Sequence, residues 1–181
     1  MGNVTVIRRI SLNDAEPLAE VLARNREFLA PWDPARPPGF FTVAGQRAVI
    51  EQALRGVAQG VLEPQVILAG DQIIGRVTLS DIVRGSFESC NLGYWVSASV
   101  GGRGHATAAV AHISRLAFDD LRLHRIQAGI LPHNIASQRV LQHNGFEPIG
   151  TARAYLKIAD RWQDHVLYQL INPDTAGVGR G

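Results

Sequence analysis

The sequence predicts an α+β fold, a twisted and mostly antiparallel sheet with helices packed on its faces. Three observations carry this. Strand candidates outnumber helix candidates, and the two kinds are mixed along the chain. No internal repeat divides the 181 residues, a length that suits one domain. Hydrophobic residues make up 46% and charged residues 19%, enough apolar surface for a packed core.

The elements follow in order. Val4–Ile10 is rich in β-branched residues and reads as the first strand. Ser11, Asn13 and Asp14 offer N-caps for a helix that sets Leu18, Val21, Leu22 and Asn25 on one face. Pro31, Pro34, Pro37 and Pro38 forbid its continuation. That stretch still carries Phe28, Leu29, Trp32, Phe40 and Phe41, so a packed loop is expected rather than a solvated linker. Thr42 can cap a second helix over 44–58, with Val49, Ile50, Ala53, Leu54 and Val57 as its buried stripe and Gly60 near its end. Gln65–Ala69 and Gln72–Leu79 form a hairpin through Gly70 and Asp71.

Asn91–Ala98 is the next strand, and Ala106–Asp119 a helix with Ala109, Val110, Ile113, Leu116 and Ala117 at helical spacing. Arg125–Leu131 is a strand. Asn134–Asn144 is a short helix with Asn134 as N-cap and Gly145 as its stop. Phe146–Gly150, Ala152–Ile158 and Trp162–Ile171 supply the last strands, with Asp160 and Arg161 in a turn. One domain is expected over 1–171. Residues 172–181, rich in turn formers and without periodicity, are expected to be a disordered tail.

Composition removes several classes of function. A net charge of +2 gives no strong field for nucleic acid, so no direct nucleic-acid binding is expected. The lone Cys90 excludes an internal disulfide and a cysteine metal cluster, and it reads as a small buried apolar residue. Six histidines show no H-E-x-x-H spacing, so no metal is expected, and there is no G-x-S-x-G nucleophile elbow. No signal peptide is visible, and no apolar run reaches the roughly 18 residues of a membrane span. A cytoplasmic protein without a membrane partner is expected.

One stretch points to chemistry. Gly93–Ala106 reads as a strand, a glycine-rich turn and the start of a helix. Gly101, Gly102 and Gly104 leave backbone N–H groups uncovered at the positive end of a helix dipole, a site suited to phosphate. The spacing is neither G-x-G-x-x-G nor G-x-x-x-x-G-K-S/T, so a plain tight connection stays open beside anion binding. A second segment about 30 residues on, Leu123–Phe146, completes a pattern.

Together the two segments resemble the GNAT family of N-acetyltransferases. Gly101–Ala106 is similar to the family's Q/R-x-x-G-x-G/A turn, with Gly101 in place of the usual Gln or Arg. Asn134, Ser137, Gly145 and Phe146 are similar to its N-x-x-A/S…G-F segment. Arg24–Pro34, Leu92–Trp95, Leu123–Ile126, Leu131–Asn134, Tyr155–Leu156 and Trp162–His165 most resemble the RimJ/RimL branch, which acetylates protein N-termini. The resemblance covers roughly residues 5 to 171.

The resemblance implies a GNAT fold, with helices on both faces and two parallel strands that splay apart around acetyl-coenzyme A. It implies that N–H groups of Gly101, Gly102, Arg103, Gly104, His105, Ala106 and Thr107 hold the pyrophosphate, with the Arg103 side chain adding charge. Backbone groups of Val96, Ser97 and Ala98 are expected to pair with the pantetheine arm, and an N–H near Ala98 to face the thioester oxygen. Asn134 is expected both to cap its helix and to contact the cofactor. Many members place a Tyr at the position of Leu141 to protonate the thiolate; leucine cannot, which leaves Ser137, a water or no dedicated acid, and the likeness to RimL-type proteins favours Ser137. The stretch Ala154–Lys157 lacks the carboxylate that RimL-like enzymes use as base, and Glu88 is the candidate base. Arg24, Trp32, Tyr94 and Tyr155 are expected at the acceptor site. His124, His133 and His165 are read as structural or surface residues.

The implied reaction is direct acetyl transfer in a ternary complex to a protein N-terminal α-amine, with a ribosomal protein as one acceptor. An α-amine has a pKa near 8 and is partly neutral at pH 7. Two alternatives stay open: transfer to a small amine (polyamine, aminoglycoside or amino acid), and a non-catalytic acyl-CoA-binding module. The expected state is a monomer or homodimer.

Overall fold

In the computed structural model, which describes residues 4–175, alternation along Gln72–Val83 (β3) shows how the sheet is built. Val77 and Leu79 are fully buried on one face, and Arg76, Thr78 and Ser80 are half-buried on the other. β3 pairs antiparallel with β2 (Glu63–Ala69) on one edge and with β4 (Ser89–Val96) on the other. With β1 (Thr5–Arg9), β5 (Arg125–Ile130), β6 (Glu147–Ile158) and β7 (Arg161–Ile171) they make one seven-stranded sheet in the order β1-β2-β3-β4-β5-β7-β6. Every pairing is antiparallel except β4 with β5.

Helices cover both faces. On one, α4 (His105–Arg115) and α5 (Ile135–His143) bury Val110, Ile113 and Leu141 against Val77, Leu79 and Ile126. On the other, α1 (Ala15–Arg24) and α3 (Val43–Ala58) bury Leu18, Val21 and Ile50 against Val66, Leu68 and Ile73. Each such aliphatic side chain contributes about 2 kcal/mol of burial. The proline-rich segment is a loop holding the single turn α2 (Arg26–Leu29) and a 3₁₀ turn at Pro38–Phe41.

Asp14 starts α1. Its carboxylate accepts the Ser11 N–H at 2.7 Å and both arms of the Arg8 guanidinium at 2.8 and 2.7 Å. Burial raises the carboxyl pKa, but the bonds from Arg8 and Ser11 outweigh it and hold the group below its ordinary value. A depressed carboxyl stabilises the fold above its unfolded pKa and loses that contribution as pH falls through the folded value. Asp14→Asn is therefore expected to cost about 2 kcal/mol at neutral pH, a figure already discounted for the half-exposed Arg8. Thermal melts should show the gap to wild type closing below about pH 4.

Several boundaries differ from expectation, and β4 spans Ser89–Val96 rather than Asn91–Ala98. β3 runs on to Val83 through a register shift after Ser80, where Asp81 has φ 49°. The two strands expected at Phe146–Gly150 and Ala152–Ile158 are one, because irregularities at Pro148/Gly150 and Ala152/Leu156 absorb what reads as a break. Of the expected tail, residues 176–181 lie outside the described residues. Asn172 is buried, receives a bond on its carbonyl from Thr175 and gives its own N–H to His124 O at 2.9 Å and Nδ2–H to Leu123 O at 3.2 Å.

Candidate active site

The parallel pair makes the site. β4 and β5 pair only at Ser89–Arg125, Cys90–Ile126 and Asn91–Gln127. Beyond that, Leu92–Val96 have no partner on β5, while Ala128–Ile130 stay bonded to β7. The strands splay towards their C-terminal ends, where the glycine turn follows β4 and Asn134 follows β5.

The glycine turn has the form an anion needs. Gly102 and Gly104 adopt φ of 74° and 83°, and nothing stands within 4 Å of a Cβ built on either. Gly104 is the N-cap of α4 and provides no side chain to cap it. Among the described residues, the N–H groups of Gly102, Arg103, Gly104, His105, Ala106 and Thr107 have no acceptor. The N–H of Gly101 is spent on Ala98 O at 3.2 Å, so the expected run shortens by one. Arg103 is exposed at the rim. The His105 side chain turns inward instead, buried, with Nδ1 2.9 Å from Thr5 Oγ1, and anchors the turn to β1. An uncovered row of amides at a helix start fits a diphosphate.

The end of β4 differs from expectation. Ser97 N–H donates to Ile74 O at 2.7 Å, and Ala98 N–H to Asn25 Oδ1 at 2.9 Å. Neither is available to a pantetheine arm or a thioester oxygen, which leaves Val96 and the residues before it as the free edge. Asn25 was legible only as one position on a helix face. It is buried, gives Nδ2–H to Val21 O at 2.7 Å, and also accepts from Ser97 Oγ at 3.1 Å, so it fixes where β4 ends.

Across the gap, Asn134 Oδ1 accepts the Ser137 N–H at 3.1 Å and caps α5. Its Nδ2 has no acceptor among the described residues, so capping and ligand contact are compatible. The half-buried Ser137 hydroxyl likewise has no partner among the described residues. The Tyr94 phenol reaches over from β4 and donates to Ser137 O at 2.9 Å. Burial pushes this phenol well above its ordinary pKa, so it stays protonated. Leu141 is fully buried in the core and has no proton to give.

A cleft of about 720 Å³ opens on the sheet face opposite α4. Tyr94, Asn134, Ser137, Tyr155, Trp32 and His165 all line it. The Trp32 ring packs at a tilt against His133, with centroids 5.3 Å apart, and Ala159 N–H donates to Asp33 O at 3.2 Å, so the early loop bridges to the β5 side. Arg24 is exposed and away from the cleft. Glu88 is also not brought there. It sits where β4 and β5 are closed, exposed, with its carbonyl bonded to His124 and Arg125 N–H. At the other end of the splay from the glycine turn, its carboxylate is badly placed as a base.

His165, read from sequence as structural, is better placed. It is buried, and Nδ1 lies 3.0 Å from Gln163 O. A carbonyl only accepts, so Nδ1 is the donor in this contact, and Nε2 has no hydrogen-bond partner among the described residues. That edge faces the β5 wall, with Cδ2 3.7 Å from a Cβ built on Gly129, and Tyr155 packs over the ring at 5.6 Å. Cys90 is buried, and its thiol is pushed up to about 12 by that burial against a weaker opposing effect of Arg84. It is no nucleophile. Among the described residues no group of three or more His, Cys, Asp or Glu could hold a metal ion, and no helix is long and apolar enough to cross a membrane.

A row of free amides at the mouth of a splayed parallel pair, next to a cleft with an unengaged hydroxyl and imidazole, suits a phosphorylated cofactor held beside an acceptor. The sequence matches the acetyltransferase (GNAT) domain family over residues 5–147, and the chain belongs to that family. It is 37% identical to the [ribosomal protein uS5]-alanine N-acetyltransferase of Escherichia coli strain K12, covering 93% of this chain and 88% of the relative. It is 34% identical to the probable N-acetyltransferase YjcK of Bacillus subtilis strain 168, covering 96% and 97%. The solved structure of Mycobacterium smegmatis RimJ in complex with CoA-disulfide superposes with a TM-score of 0.92 at 28% identity, covering 97% of this chain and 85% of that one.

Proposed function

We propose that this chain transfers the acetyl group of acetyl-coenzyme A to the N-terminal α-amine of a protein, with a ribosomal protein as the favoured acceptor and the cytoplasm as the setting. The observation that carries the acceptor class is the charge of the cleft. Asp33 and Asp81 on its lining are matched by Arg36 and Arg76. A polyamine or other polycation needs an excess of carboxylates, so this balance disfavours it. The open lining, with a polar strand face as floor and Trp32 at its edge, suits an extended peptide end. Near full-length similarity to a ribosomal-protein alanine acetyltransferase supports the same reading.

In this reading the neutral amine attacks the acetyl carbonyl carbon as the carbon–sulfur bond breaks. His165 Nε2 takes the proton the amine sheds. The Ser137 hydroxyl gives a proton to the leaving sulfur and regains one from solvent. Tyr94 holds Ser137 through its carbonyl, and Asn134 holds the start of α5, so the hydroxyl is positioned from two sides.

The test is incubation with acetyl-CoA and peptides that begin with Ala. Release of free thiol, with mass spectrometry placing the added acetyl on the α-amine, is the expected result. Acetylation of spermidine but of no peptide would refute the acceptor class. Cofactor binding with no thiol released to any amine would refute catalysis.

A further inference from the structure

The fold pairs its buried acids with cations near β1: Asp14 with Arg8 at 2.7 Å and Glu63 with Arg9 at 2.6 Å. Arg76 is treated differently. It lies on the cleft face of β3, opposite Trp95 of β4, in line with Thr78 and Ser80. Its Nε is buried without a hydrogen-bond partner, and no carboxylate among the described residues lies within 4.0 Å of its guanidinium. Arg36 and Asp33 of the early loop act on it with opposite signs. Those two are already paired with each other at 3.0 Å, so Asp33 does not neutralise Arg76. The remaining acid of the floor, Asp81, accepts from Asn91 Nδ2 at 3.0 Å at the other end of the strand.

A half-buried guanidinium with a covered, unpartnered Nε and no carboxylate beside it favours the arrival of an anion. Its planar fork matches a carboxylate through two parallel bonds. The floor beside it is open, since nothing stands within 4 Å of a Cβ built on Gly93. We propose that Arg76 is a carboxylate subsite of the acceptor cleft, engaging an acidic side chain within the first few residues of the acceptor. This rests on the N-acetyltransferase reading above. A free amino acid's α-carboxylate would present the same chemistry.

The test uses the full chain with two acceptor pairs. The first pair is Ala-starting peptides that differ only by Glu or Gln at positions two to four. The second is free alanine and alaninamide. Wild type is expected to favour the Glu peptides by about 10- to 100-fold in kcat/KM, the effect of one charged hydrogen-bonded contact. In Arg76→Gln that ratio should fall to about one, and Arg76→Lys should restore part of it. A preference confined to free alanine over alaninamide, lost in Arg76→Gln, supports the subsite and assigns it to the α-carboxylate. Equal kcat/KM within both pairs in wild type would overturn the subsite, while turnover of the neutral peptide would leave the acetyltransferase reading standing. If no acceptor is turned over, that reading fails, and calorimetric titration of the same pairs into protein saturated with coenzyme A still measures the ratio. Equal affinities there would overturn the subsite.

Discussion

Replacing Gly104 by Asn is expected to weaken acetyl-CoA binding by about 100-fold while the protein stays folded. Gly104 holds φ 83° at the start of α4, with open space where a side chain would project. Asn is among the residues that tolerate this left-handed conformation, at about 1 kcal/mol of strain. The new side chain would occupy the space through which a phosphate approaches the amides. Losing one or two charge-assisted bonds of about 1.5–3 kcal/mol gives the stated loss of affinity. Isothermal titration reads it, and a thermal melt checks the fold. An unchanged Kd would mean that the diphosphate lies elsewhere.

His165→Gln is expected to lower kcat/KM by about 10² to 10⁴, the usual contribution of a positioned proton acceptor. Affinity for acetyl-CoA should not move, because the ring lies on β7, away from the glycine turn. The split between kcat and KM separates a chemical role from a packing one. The loss should fall on kcat, with the KM for the peptide nearly unchanged. A loss carried by KM alone would make His165 a packing residue.

These two positions differ in how far they could be read from sequence. The glycine turn is local: three glycines between a strand and an amphipathic helix determine which amides stay bare, and all of that lies within a dozen consecutive residues. The Asn134 cap and its link to Ser137 are local for the same reason. The strand pairing is less so, yet alternation along β3 and the aliphatic stripes on α1 and α4 already separate the two buried faces.

The rest depends on distant crossings. Whether His165 faces cleft or core depends on the register of β7 with β5 and on the carbonyl of Gln163, neither of which spacing encodes. Glu88 reads well only until the pairing places it at the closed end of the splay. Asn25 reaches β4 across more than seventy positions of chain, so its capture of the Ala98 amide could not be foreseen from the helix face alone. Arg76 looks like an ordinary exposed position of an alternating strand. Only the early loop packed beside it makes it a half-buried cation with a covered, unpartnered Nε.

The most direct measurement is a crystal structure of the chain with coenzyme A. The diphosphate oxygens are predicted to lie about 3 Å from several of the N–H groups of Gly102–Thr107, with the pantetheine arm along the free edge of β4 between β4 and β5. Coenzyme A bound with its diphosphate away from those amides, or with its arm outside the splay, would contradict the account.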